Sequence, residues 1–108
     1  MKLYAVVTIG ERTETRKDGS TYESTHDRCV AICETIERAR KIIVHNQGDI
    51  FEYYYQYAVI ETKNTDELYC GFQQDQYWYE WQGDGATGKY EPIERPDKYK
   101  NIVGWGIG

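Results

Sequence analysis

Hydrophobic and polar positions change their period several times along the chain, and each change marks an element. Lys2 to Ile9 (KLYAVVTI) is dense in β-branched and aromatic residues, the composition of a strand lying well inside a sheet. Beyond Gly10 the run ERTETRKDGSTYEST is charged or polar throughout. Its centre, Lys17-Asp18-Gly19-Ser20, contains Asp-Gly, a two-residue hairpin signal. A long, charged, solvent-exposed hairpin is therefore predicted over residues 10–27, its return arm entering a second core strand at Arg28 to Cys33 (RCVAIC).

Thr35 can cap a helix in which Ile36, Ala39, Ile42 and Ile43 recur at three- and four-residue spacing, with Gly48 as terminator. Arg38, Arg40 and Lys41 fall off that stripe and form its solvated side. Phe51 to Thr62 (FEYYYQYAVIET) has a period of two. Phe51, Tyr53, Tyr55, Tyr57 and Val59 then share one face, and Tyr54, Ala58 and Ile60 the other, as in a central strand. Gln76 to Gln82 (QYWYEWQ) sets Tyr77, Tyr79 and Trp81 against Trp78, Glu80 and Gln82. Gly83 to Gly88 turns the chain, Lys89 to Ile93 makes a short strand, and Asn101 to Ile107 (NIVGWGI) closes with alternating glycines. The order β-β-α-β-β-β-β predicts an α+β fold: a single domain over residues 1–108, with a mostly antiparallel, twisted sheet of five to six strands and one helix on one face.

The 108 residues suffice for one core and not for two. Aromatics reach 15%, carried by 11 Tyr and 3 Trp against 2 Phe, rings whose polar tips suit thin sheets and binding surfaces alike. The net charge is −5, and residues 55–108 are the acidic half, with 5 Lys/Arg against 9 Asp/Glu. That balance repels phosphate backbones and argues against direct nucleic-acid binding. It favours basic protein grooves, including those that ordinarily hold nucleic acid. Three cysteines form an odd set, and no charged-then-apolar leader precedes the first strand, so a cytoplasmic protein is expected. No apolar run approaches the roughly eighteen residues that span a bilayer, so no membrane role is expected.

Gly83-Asp84-Gly85-Ala86-Thr87-Gly88 has the letters of G-x-G-x-x-G, but Pro92 follows where a dinucleotide site would open a helix; a glycine-rich hairpin loop is the reading. Cys29, Cys33, Cys70, His26 and His45 include soft ligands. Yet C-x-x-x-C within an extended strand holds its sulfurs roughly 10 Å or more apart, so buried thiols on one side of a strand are expected and no metal or cofactor. No spacing of His26, His45 and the carboxylates selects a nucleophile and a base, and no enzyme is predicted.

The aromatic concentration remains. If the strands around residues 53–57 and 77–81 pair, rows of rings lie on a sheet face, and one short helix cannot cover both faces. One is then open, or closed by the hairpin or a second subunit, so that a homo-oligomer is admitted. The expected binding residues are Tyr53, Tyr55, Tyr77, Tyr79 and Trp81 with the acidic Asp66, Glu67 and Asp84.

Tyr57-Ala58-Val59-Ile60-Glu61, with Lys89-Tyr90-Glu91-Pro92-Ile93 and Ile102-Val103-Gly104-Trp105-Gly106-Ile107-Gly108, resembles a family of short uncharacterised proteins from anaerobic bacteria and their phages and mobile elements. The resemblance covers most of residues 28–108, leaves the hairpin out, and brings no catalytic residues. It implies a genomic setting and no mechanism; joined to the small size, acidic charge and aromatic surface, that setting makes a binding protein that inhibits a host defence protein, such as a CRISPR nuclease, the expected function. The alternatives are a binder that sequesters a nucleotide signal between rings, and a housekeeping interaction domain.

Overall fold

The structure, a computed structural model, describes residues 2–52, 54–64, 75–85 and 87–99. It contains β1 (Lys2–Thr15), β2 (Thr21–Cys33), α1 (Ile36–Val44), β3 (Tyr57–Asn64), β4 (Gln76–Gln82), β5 (Lys89–Ile93) and a 3₁₀ turn at Asp97–Tyr99. The strands form one sheet in the order β2-β1-β3-β4-β5, every pair antiparallel. This is the predicted α+β architecture with one helix. The strand expected at Asn101 to Ile107 lies outside the described residues.

The first strand is longer than its apolar run. β1 pairs with β3 from Lys2 to Ile9 and with β2 from Tyr4 to Thr15, so six residues continue past the sheet with β2 alone. The hairpin closes on a three-residue loop instead of the two-residue turn. Gly19 N–H donates to Arg16 O at 3.0 Å and Arg16 N–H to Ser20 O at 2.8 Å, with Gly19 at φ +88°, a left-handed position that glycine occupies without steric cost.

α1 begins as expected, the Thr35 hydroxyl accepting from Arg38 N–H at 3.2 Å. It ends at Val44, before Gly48, because Asn46 at φ +46° reverses the chain. Ala39, Ile42 and Ile43 are buried against Val6, Ala58, Ile60, Tyr79 and Tyr90, each isoleucine contributing about 1.5–3 kcal/mol.

The largest departure is the start of β3. Six residues expected to be extended, Phe51 to Gln56, precede it. Tyr54 has φ +59° and its N–H donates to Phe51 O at 2.8 Å. The turn lets the Phe51 ring stack on Trp81, with centroids 3.9 Å apart and planes 7° apart. A ring-on-ring contact beyond the sheet thus outweighs the period-two pattern. Gln56 ends the sheet on this side: its side-chain amide accepts from Glu11 N–H at 2.8 Å and donates to Glu11 O at 3.2 Å, standing in for one more residue of β3 beside β1.

The face away from the helix is also closed. Val7, Ile9, Tyr57, Val59 and Trp78 form a second cluster with Tyr99 of the 3₁₀ turn. Tyr99 stacks on Trp78, with centroids 5.5 Å apart and planes 11° apart, and its hydroxyl donates to Glu11 Oε1 at 2.6 Å. Neither a second subunit nor the hairpin is needed to cover these rings.

Candidate functional site

A bulge in β2 decides where its cysteines go. Val6 faces Ala31 but Val7 faces Cys29, so Val30 is an extra residue without a partner and the strand changes face across it. Cys33 packs on the helix side and Cys29 on the other. The expectation that both thiols share one side is corrected by that single inserted residue. Both are free, and burial pushes both thiols up from their ordinary value, which keeps them protonated and inert. Among the described residues no group of three or more His, Cys, Asp or Glu is placed to hold a metal, and no helix is long and apolar enough to cross a membrane.

The described members of the expected binding set, Tyr55, Tyr77, Tyr79, Trp81 and Asp84, do not form one surface. Tyr53, Asp66 and Glu67 lie outside the described residues. Tyr55 is buried over Gly10, where a Cβ would stand 3.2 Å from its ring. Tyr79 is 5% exposed within the core under α1. Trp81 is half-buried between Phe51 and Tyr90. Asp84 is exposed, and its backbone carbonyl accepts from Gly88 N–H at 2.7 Å, which makes the Gly83–Gly88 segment the hairpin loop read from sequence. Of the described aromatics in that set, only Tyr77, 39% exposed, keeps an open ring, with the Arg40 guanidinium 5.6 Å from its centroid. Both residues line a cleft of about 560 Å³ that also includes Pro92 and Arg95.

The arm formed by Gly10–Thr15 and Thr21–His26 is polar on both sides. Alternation from Ile9 and Asp27 places Glu11, Glu23 and Asp27 with four threonines on the side away from the helix, and Arg12, Glu14, Tyr22, Ser24 and His26 on the helix side. Glu14 gathers that side, accepting from the Tyr22 hydroxyl at 2.6 Å and the Ser24 hydroxyl at 3.1 Å. These bonds hold its carboxyl below the usual value. Ser24, His26 and Glu14 carry the residue types of a hydrolytic triad but not its geometry. The same His26 Nε2 lies 3.5 Å from both Ser24 Oγ and Glu14 Oε1, whereas a relay needs the two partners on different ring nitrogens. At the arm's base Lys98 and Tyr99 both bind Glu11.

Two features escaped sequence reasoning. Glu61 is fully buried in β3, held by Gln76 Nε2 at 3.1 Å with Lys63 Nζ 3.9 Å away; the period of two puts it beneath Val59, a signal that was legible. The second is a groove between β2 and α1, which no local pattern encodes because its walls are distant in sequence. No family model, no curated protein and no solved structure matches this chain.

Proposed function

We propose that this chain is a binding protein without catalytic activity, which engages a protein partner through the β1–β2 arm. The observation that carries the reading is an arm whose strands, among the described residues, pair only with each other beyond Ile9. At 3.3–3.4 Å per residue it projects roughly 20 Å. A two-stranded ribbon alone is marginal; this one is stiffened by the Tyr22–Glu14 bond, by Arg16 4.6 Å over the Tyr22 ring, and by the Asp18–Ser20 bonds at its tip. An arm ordered in advance loses little entropy on binding, and both its faces together suit an interface of about 800 Å² per partner.

The finer reading is inhibition of a host defence protein in the cytoplasm, one with a basic groove that ordinarily holds nucleic acid. Glu23 and Asp27 on one side of the arm and the net charge of −5 support it. Sequestration of a nucleotide signal between aromatic rings is the second reading, supported by the cleft at Tyr77, Arg40 and Arg95, which Glu94 also lines. Replacing residues 13–23 with an Asn-Gly turn, which joins the paired Arg12 and Ser24, tests the first. The shortened protein is expected to keep its thermal transition and to lose a partner that the full chain captures from host lysate. Capture that survives the deletion refutes the arm, and a few-hundred-dalton ligand retained in native mass spectrometry selects the second reading.

A further inference from the structure

The groove beside α1 goes further than the arm, and it rests on the reading of the chain as a binder of proteins. β2 is an edge strand of 13 residues, and among the described residues nothing pairs with its outer side. An edge of this kind exposes alternate backbone N–H and C=O groups that a further strand can satisfy. Over its last third the edge runs beside α1. Two adjoining hollows of about 360 and 500 Å³ share Ala31, Arg38 and Ile42, so they form one groove. Val30, Ala31, Ile42 and Ile50 give it an apolar floor. The bulge contributes directly, since Val30 packs with the helix-side cluster. Ile32 stands 53% exposed on the adjacent edge, a large apolar side chain available to a neighbouring strand.

The groove's lining carries both signs, Glu34, Asp49 and Glu52 beside Arg28 and Arg38, so what it accepts turns on which of these charges is already paired. Arg38 sits where the two hollows meet, and its guanidinium donates to the neutral amide oxygen of Gln47 at 2.5 Å; among the described residues no carboxylate forms an ion pair with it. Arg28 at the far end is already paired with Glu52 at 3.2 Å. Although the chain's net charge is −5, at contact distance the nearest charge dominates, and Arg38 above the apolar floor is complementary to a carboxylate. We propose that the groove between the free edge of β2 and α1 accepts an extended peptide segment of a partner protein as an added strand, with an apolar side chain on the floor and an acidic one, two residues away, on Arg38. Backbone bonds to β2 supply affinity, and the alternate side chains supply selectivity.

The probe is a fluorescein-labelled ten-residue peptide with threonine at every second position and valine, glutamate and valine at successive positions between. Saturable anisotropy binding is expected, with glutamate-to-lysine replacement in the peptide and Arg38→Glu in the protein each weakening it roughly tenfold or more, as loss of a charge-assisted hydrogen bond implies. Circular dichroism checks that Arg38→Glu is folded. Two further peptides, N-methylated on alternate residues in the two possible phases, test strand addition without touching the protein: one phase is expected to bind normally and the other to fail. Equal behaviour of the two phases, no binding of the parent peptide, or a concentration-dependent dimer of the chain that Arg38→Glu abolishes overturns the proposal. Partner capture that depends on the arm while every peptide fails leaves the arm reading standing and removes this one alone.

Discussion

Tyr79 and Tyr77 lie two residues apart on β4, point to the same side, and should respond to alanine in opposite ways. Tyr79 is packed in the cluster of Ile43, Ile60 and Tyr90, so removing its ring deletes buried contacts and leaves a cavity, at about 3–5 kcal/mol for a large aromatic. A domain of this size has only about 5–15 kcal/mol in all, and each 1 kcal/mol moves its midpoint by about 4–8 °C. Tyr79→Ala is therefore expected to lower Tm by about 12 °C or more, or to prevent folding. Tyr77 loses an exposed ring and a cation–π contact with Arg40 worth about 0.5–1 kcal/mol, so Tyr77→Ala is expected to cost no more than about 1 kcal/mol. Urea titration followed by tryptophan fluorescence and circular dichroism measures both. A Tyr79→Ala midpoint equal to wild type would show that α1 does not cover this face, and the assignment of the aromatics to the core would fall with it.

Two glycines should fail for different reasons. Gly88→Ala places a methyl against the Trp81 indole nitrogen and 2.6 Å from Gln82 O, an overpacking cost of about 1–3 kcal/mol, whereas Gly19→Ala meets nothing within 4 Å and is penalised by its φ of +88° alone, about 1–2 kcal/mol; denaturant melts should show both losses, and only the second should relax with Asn at that position. Acid should act partly through Glu11. Burial pushes its carboxyl up, but hydrogen bonds from Lys98 and Tyr99 and the Lys98 charge outweigh this and hold it below 4.5. The folded form thus resists protonation, and the contribution is complete above 4.5 and lost as pH falls through the lowered folded value. Glu11→Gln should give a shallower fall of Tm with acid over that window, and superimposable acid limbs would refute the link.

Much of the fold was legible because its signals are local. The period of two from Tyr57 onward, the Thr35 cap, the three-and-four spacing through Ile43, and Asp18-Gly19 each act within a few residues, and backbone geometry turns each into one element. The acidic and mixed sides of the arm also follow from alternation once its register is known. What the sequence did not carry depends on contacts between distant segments. Phe51 leaves its expected strand because Trp81, thirty residues on, offers a stacking partner. Cys29 and Cys33 part company because β2 takes one residue more than β1 between Val6 and Val7, a mismatch that exists only when two strands are laid side by side. Tyr79 and Trp81 read as a surface until a helix forty residues earlier and the Phe51 turn are folded onto them. The groove beside Arg38 exists only because strand order leaves β2 at the edge of the sheet. Local chemistry determined the elements of this protein, and tertiary packing alone decided which of their faces remain for a partner.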